Sequence, residues 1–349
     1  MDGLIGIYKW MRKKNIIQKN YKCSYAFVGI GNHSLHNLYP VIDYLKVPLK
    51  YIVCKSQRSM DLINRNYPSL TGTNNLETAL NDDEVKGLFI CASPVDHYEL
   101  TRKALLAHKN VFVEKPVCTS SGELQALIAA EKASTGFCQV GMQKRYSICT
   151  ALLKKRLKKE KILSYNYRFC VGPYPEGNIY WDIFIHPVDY VLHLFGNAEV
   201  LSVAATPPYK GKSTVFLHLK HKNDIIGNVE ISTNHFWSEA LEELQVNTGN
   251  GLYEMSNHQL LYYRPKPSTI LSLPLEKIFN FVPEKHYLFN THTFLPVFQN
   301  NQLLSQGYFG EIQSFVEQCE SKSANNRSSL DSLSETYRVL ELIQNKSNI

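Results

Sequence analysis

From residue 23 to about residue 141, short apolar runs alternate with stretches of helical periodicity. Tyr25–Ile30 reads as a buried strand, followed by a glycine turn and a helical stretch over Leu35–Leu45. Further strands are predicted at Leu49–Cys54, Gly87–Cys91, Asn110–Glu114 and Phe137–Gly141. Helices are predicted between them at Asp61–Tyr67, Leu76–Asn81, Tyr98–His108 and Ser121–Lys132. Strands alternating with helices imply βαβ units and a parallel sheet, with right-handed crossovers. After residue 141 the period changes. A helix at Tyr146–Lys159 leads into Ile162–Val171, an alternating, Tyr-rich strand, and then a helical segment at Asp182–Phe195. Strands follow at Glu199–Thr206, Thr214–His221, Ile225–Thr233, Leu241–Asn247, Leu252–Met255 and Leu260–Tyr263. Short connections such as Lys222-Asn223-Asp224 and Thr248-Gly249-Asn250-Gly251 make this sheet antiparallel. Helices close the chain at Gly310–Cys319 and Leu330–Gln344, with Ser328 or Ser329 as the N-cap. The plan is an α/β domain over residues 23–141, then an α+β domain over residues 142–349 with a large, mostly antiparallel open sheet.

Residues 1–22 stand outside this plan. Leu4, Ile5, Tyr8 and Met11 fall at helical spacing, and Arg12, Lys13 and Lys14 follow. The expectation is a short helix that docks on the body or stays disordered, with contact to an anionic membrane surface as the alternative.

Composition narrows the function classes. At 349 residues, 44% hydrophobic and 20% charged, the chain is globular in type. No apolar stretch approaches the ~20 residues of a spanning helix, so no transmembrane segment is expected. A net charge of +7 over this length is weak ground for nucleic-acid binding, and none is expected. The eight cysteines include no C-x-x-C pair, so neither a zinc site nor a redox motif is written here. His33 and His36 lack a third ligand, and no metal is expected. The first residues place their charges after a short apolar stretch, the reverse of a secretory leader. Scattered cysteines in that setting read as reduced thiols of a cytoplasmic protein.

The first strand ends in Val28-Gly29-Ile30-Gly31-Asn32-His33-Ser34. Gly29 permits a tight turn, and Gly31, without a Cβ, lets a pyrophosphate approach the backbone at the positive end of the next helix. Ser34 takes the third fingerprint position and is small enough for close helix–strand packing. The second strand lacks the Asp or Glu that normally holds the ribose 2′-hydroxyl of NAD. Lys55, Ser56 and Arg58 stand there instead and would suit a 2′-phosphate. The cofactor expected is therefore NAD(P), with NADP slightly favoured.

Two more segments are specific: Val111-Phe112-Val113-Glu114-Lys115-Pro116 and Asp182-Ile183-Phe184-Ile185-His186-Pro187-Val188-Asp189. With the glycine turn, they resemble the glucose–fructose oxidoreductase / inositol dehydrogenase (Gfo/Idh/MocA) family, marked by Glu-Lys-Pro and a later Asp-x-x-x-His. Ala92-Ser93-Pro94, His97, Gly141-Met142-Gln143-Lys144-Arg145-Tyr146 and Gly307-Tyr308-Phe309-Gly310-Glu311 are similar as well. The resemblance implies a Rossmann domain, then a substrate-binding and oligomerisation domain. It also implies a homodimer or homotetramer joined through the C-terminal sheet, and a nicotinamide ring held near the lysine and the histidine. The implied reaction is hydride transfer between nicotinamide and a hydroxyl or keto carbon of a sugar, polyol or sugar nucleotide. Positions matching the cofactor site are Gly29, Gly31, Asn32, His33, Lys55, Ser56, Arg58, Ser93, Pro94, His97, Glu114 and Lys115.

The chemistry requires these residue types. His186 is the natural base for the hydroxyl proton, since imidazole titrates near neutrality. Lys115 offers a positive donor to the developing alkoxide. Asp182, four residues before His186, shares its helix face and would bind a substrate hydroxyl, tune the base or simply cap a helix. Arg145 and Tyr167 are candidate substrate contacts. Pro187 removes one helical hydrogen bond, so the helix should begin near Asp182 or kink there. The segment after Ser93-Pro94 is one residue short of the family pattern. His108 stands where a helix-ending Gly is usual, and Phe184 replaces a small residue. Two rival readings are a non-catalytic NAD(P)-binding sensor or partner subunit, and a reductase of a non-sugar substrate on the same fold.

Overall fold

The structure is a computed structural model that describes residues 2–17, 20–207, 212–271, 273–280, 284–292, 301–321 and 326–347. It divides into two compact units, neither of them continuous in sequence. The first comprises Met1–Glu114, Ala129–Gln139 and Ile312–Asn326; the second comprises Lys115–Ile128, Val140–Glu311 and Arg327–Ile349.

The first unit is built on β1 (Ser24–Val28), β2 (Leu49–Val53), β3 (Thr71–Thr73), β4 (Val85–Ile90), β5 (Asn110–Glu114) and β6 (Cys138–Gly141). They form one sheet in the order β3-β2-β1-β4-β5-β6, and the β1–β2, β2–β3, β1–β4 and β4–β5 pairs are parallel. This order reverses direction beside β1, where open α/β sheets form a ligand crevice. β1, β4 and β5 are buried on both faces, which is why they read as unbroken apolar runs. The connecting helices are α2 (Tyr39–Leu45), α3 (Gln57–Asn66), α4 (Leu76–Leu80) and α5 (Pro94–Leu106), while α6 (Ser121–Lys132) belongs to the first unit only from Ala129 onward. Phe315, on a late helix, sets its ring against Phe89, Phe112 and Phe137 at centroid distances of 5.0, 5.9 and 5.6 Å. These edge-on contacts bind residues far apart in sequence into one aromatic core.

The N-terminal segment forms helix α1 (Asp2–Ile17). Docking on the body was one of the expectations for it, but Leu4, Ile5, Ile7, Tyr8 and Trp10 are 75, 51, 56, 60 and 56% exposed. Residues 1, 18 and 19, and the side chains of residues 2 and 11–17, on which the expectations for Met11, Arg12, Lys13 and Lys14 fall, lie outside the described residues.

The second unit carries β7 (Ile162–Cys170), β8 (Ala198–Ala205), β9 (Thr214–His221), β10 (Ile226–Ser232), β11 (Leu241–Thr248), β12 (Gly251–Ser256) and β13 (Leu260–Pro265). A two-residue pair, β14 (Thr269–Ile270) and β15 (Leu273–Pro274), stands apart from β16 (His286–Asn290). The eight-stranded order is β16-β13-β12-β11-β7-β10-β9-β8, antiparallel except for β7–β10. The helices are α7 (Ile148–Leu157), α8 (Ile185–Phe195), α9 (Gln302–Ser305) and α11 (Ser334–Ser347), while α10 (Tyr308–Ser321) belongs to the first unit from Ile312 onward. Alternation along β7 buries Tyr165, Tyr167 and Phe169 and leaves Ser164, Asn166 and Arg168 less covered. Tyr165 stacks on Phe195 of α8 at 4.1 Å and bonds His221 at 2.7 Å. The inner face is thus fixed by aromatic contacts, while Leu163, Phe216 and Ile226 remain exposed on strands of the same sheet. Among the described residues, no helix is long and apolar enough to cross a membrane.

Candidate active site

In the first unit the glycine turn opens a cavity of about 560 Å³. Gly29 has φ +96°, and a Cβ there would run into the Cys91 carbonyl, so only glycine fits. A Cβ on Gly31 would meet nothing within 4 Å, which leaves its backbone open on the cavity side. Ser34 accepts from the Gly31 N–H at 2.9 Å and donates to the Gly31 carbonyl at 2.8 Å, both through Oγ. The third fingerprint position thus ties the turn together by hydrogen bonds as well as by its small size. The helix begins at Asn32, widens into a π-turn over Ser34–Leu38, and Pro40 follows without an N–H to offer the turn before it.

Gly29, Gly31, Lys55, Ser56 and Ser93 line the cavity, as the sequence indicated. Asn32, His33, Arg58, Pro94, His97, Glu114 and Lys115 are not among its lining residues. His97 is 1% exposed and its Nε2 bonds the Ala92 carbonyl at 3.1 Å, so it braces the lining loop instead of facing a ligand. His33 pairs with the buried Glu114 carboxylate at 3.2 Å, and the Asn32 carbonyl accepts from His36 at 2.7 Å. Ser56 caps α3, accepting from the Ser59 N–H. Pro94 opens α5. Arg58 is exposed. Sequence reasoning missed Asn74 and Asp96. Asn74 follows β3, a three-residue strand with no apolar run to announce it. Asp96 was detectable, because Asp96 and Leu100 share one face of α5 at i, i+4 and both line the cavity. Lys55 Nζ donates to Asp96 Oδ2 at 2.7 Å. The cation at the end of β2 therefore already has an acidic neighbour.

In the second unit, Lys115 joins Pro116 through a cis peptide bond, and its Nζ donates to the Asp182 carbonyl at 2.7 Å. That carbonyl belongs to a second π-turn, Tyr180–Phe184, which runs into α8. In π geometry its partner would be the N–H five residues on, at Pro187, which has none. Proline thus frees an acceptor, and Lys115 takes it. The kink expected from Pro187 is realised as this π-turn. Asp182 does not cap α8, where Phe184 holds the cap position. Its carboxylate is 8% exposed and accepts from the Asn178 N–H at 2.9 Å. His186 follows four residues later and is half-buried. The structure therefore gathers Lys115, Asp182 and His186 around one helical turn. Tyr174 joins them: burial, and then the nearby Asp182 carboxylate, push its hydroxyl pKa up.

Arg145 and Tyr167 do not join that group as substrate contacts. Arg145 is 3% exposed, and its guanidinium pairs with both oxygens of Asp189 and bonds the Arg327 carbonyl and Ser332. Every donor direction of the fork is spent inside the unit, which leaves nothing for a ligand. Tyr167 is 1% exposed and donates to Glu242 at 2.5 Å. Glu242 also meets Lys144 at 2.5 Å and His258 at 3.0 Å. His258 in turn bonds Ser147 at 2.8 Å. This buried network links α7 to the sheet and is structural. Burial alone would raise the Glu242 pKa, but Lys144 and His258 outweigh it and hold the carboxyl well below its ordinary value.

Residues 23–142 match the model of an oxidoreductase family with an NAD-binding Rossmann fold (GFO_IDH_MocA). The scyllo-inositol 2-dehydrogenase (NADP(+)) IolW of Bacillus subtilis (strain 168) is 24% identical over 232 residues, covering 62% of this chain and 62% of its own length. The chain spans 42–62% of the length of the first curated relatives it matches. A dehydrogenase from Chromobacterium violaceum has the same fold, with TM-score 0.80 and 17% identity, covering 95% of this chain and 96% of its own. KijD10, a 3-ketoreductase from Actinomadura kijaniata solved with NADP and TDP-benzene, gives TM-score 0.71 and 14% identity, covering 93% and 98%. Residues 23–142, about a third of the chain, thus carry the strand order, glycine turn and Lys115-bearing segment on which the match to this oxidoreductase family's NAD-binding Rossmann fold rests.

Proposed function

We propose that this protein is an NAD(P)-dependent oxidoreductase acting on the CH–OH group of a sugar, polyol or sugar nucleotide, or on the corresponding ketone. The observation that carries this reading is the Lys115 ammonium held on the Asp182 carbonyl, one turn before His186. The glycine cradle of the first unit, with an open backbone at Gly31 and a fixed turn at Gly29, fits a dinucleotide. Gly29, Gly31, Lys55, Ser56 and Ser93 would hold it, with Asn74 and Asp96 on the same wall. When bound, the nicotinamide supplies the hydride acceptor or donor.

The chain's own residues do the rest. His186 takes the proton of the substrate hydroxyl, or returns it in the reverse direction. Lys115 donates a charge-assisted hydrogen bond to the oxygen that becomes an alkoxide. Asp182 orients a neighbouring hydroxyl. His33, Glu114 and His97 fix the loops around the cradle and need not touch the cofactor. NADP is favoured over NAD because Lys55 and Ser56 follow β2 where an acid would hold the ribose 2′-hydroxyl, although Lys55 is shared with Asp96 of α5. Residues 142–349 act as the substrate-binding and oligomerisation domain, and exposed Phe216, Leu163 and Ile226 suit a homodimer or homotetramer joined through the sheet. The setting is cytoplasmic.

The test is NADPH formation, followed by absorbance, across a panel of polyols, sugars and sugar nucleotides. Lys115→Ala and His186→Ala are expected to lose at least about 100-fold in turnover, in line with the loss of one transition-state donor or base. Both variants should bind NADP⁺ as the wild type does. Wild-type turnover in either would refute the assignment.

A further inference from the structure

We propose that α1 is an interfacial anchor that lays this protein on a bilayer containing anionic lipids. The helix has 16 residues, about 24 Å at 1.5 Å per residue. Leu4, Ile5, Ile7, Tyr8 and Trp10 are all at least half exposed, five large apolar side chains within seven positions. At about 100° per residue these side chains spread around more than half of the helix, and exposed apolar side chains in such number mark an interaction site.

Charge identifies the occupant. Residues 1–22 carry Lys9, Arg12, Lys13, Lys14, Lys19 and Lys22 against one acid, Asp2. This short segment therefore holds +5 of the chain's net +7. Pairing with the same segment of a second copy would set like charge against like charge. An anionic bilayer offers the opposite sign and an apolar layer just beneath it. Apolar, Trp and Tyr side chains alongside basic residues are what such an interface takes up. The helix is too short and too charged to span, so it lies in the plane of the interface. This anchoring does not depend on the oxidoreductase reading.

The test is co-sedimentation of the full-length protein with phosphatidylcholine vesicles, with and without phosphatidylglycerol. Binding is expected to be at least about tenfold stronger to the anionic vesicles and to fall sharply at about 0.5 M salt. The Leu4→Ser/Trp10→Ser variant should lose roughly tenfold of that binding, and Arg12→Gln/Lys13→Gln/Lys14→Gln, which leaves Lys9, Lys19 and Lys22, should weaken its salt dependence by about half. Both variants should keep the wild-type thermal melt, which reports an intact fold without reference to the cofactor. Equal binding to neutral vesicles, unchanged binding by both variants, or pelleting without vesicles through self-association would each overturn the proposal.

Discussion

Asp96→Asn should convert Lys55 from a shared cation into a free one. At present Lys55 Nζ lies 2.7 Å from Asp96 Oδ2, and the two side chains are 88% and 30% exposed. So exposed a pair contributes only about 0–1 kcal/mol, so little stability is at stake. The larger effect concerns a ligand. A 2′-phosphate near Lys55 carries close to two negative charges, and Asp96 would repel it from a few ångströms away. In a near-aqueous setting that repulsion is roughly 1 kcal/mol. Together with the released Lys55 the gain is ~1–2 kcal/mol, or about tenfold in affinity. Direct titration, by calorimetry or protein fluorescence, should show NADP⁺ binding about tenfold tighter to Asp96→Asn, and NAD⁺ changing less than about twofold. The gain should shrink as salt rises and vanish in a Lys55→Ala background. Equal changes for both cofactors, or a gain that survives loss of Lys55, would refute the reasoning.

Other consequences concern stability. Glu242 titrates below its ordinary value in the fold, so its contribution is complete above the ordinary carboxylate range and is lost as pH falls through and beneath it. The urea midpoint should hold steady down to about pH 5 and drop below it. Glu242→Gln should cost about 3–5 kcal/mol at neutral pH, by stranding Lys144, and should flatten the acid limb; an unchanged limb would contradict this. His108 ends α5 at φ +58°, with the Lys109 N–H on the Ala104 carbonyl and the His108 N–H on the Leu105 carbonyl. This is a left-handed helix terminus that favours glycine. His108→Gly should raise stability by up to ~1 kcal/mol in denaturant melts, less whatever the Thr135–His108 hydrogen bond contributes; a clear loss would count against the strain.

The sheet plan was legible because β1, β4 and β5 are buried on both faces, while β7 alternates Tyr165, Tyr167 and Phe169 with polar residues. Where hydrophobic burial does not drive an element, the pattern fell silent. β3 holds its place by pairing with β2 and by the Gly72 N–H on Asn64, neither of which leaves an apolar signature. α3 begins four residues earlier than its periodicity implied, because Ser56 caps it. Motif chemistry pointed to Gly29, which lines the cavity, and to Lys115, Asp182 and His186, which the structure brings to one helical turn. Arg145 and Tyr167 were not, because the residues that claim them, Asp189 and Glu242, lie 44 and 75 positions away. Lys115's acceptor was equally hidden, since a main-chain carbonyl has no residue type to read. Pro187 gave the only hint of it.

The most direct measurement follows the hydrogen itself. The protein is incubated with NADP⁺ and a polyol or sugar substrate deuterated at the reacting carbon, and the reduced cofactor is analysed by mass spectrometry. Hydride transfer predicts that the deuterium appears in the NADPH formed by the wild type, and that Lys115→Ala and His186→Ala form almost none. Unlabelled NADPH, or labelled NADPH formed equally well by both variants, would contradict the assignment.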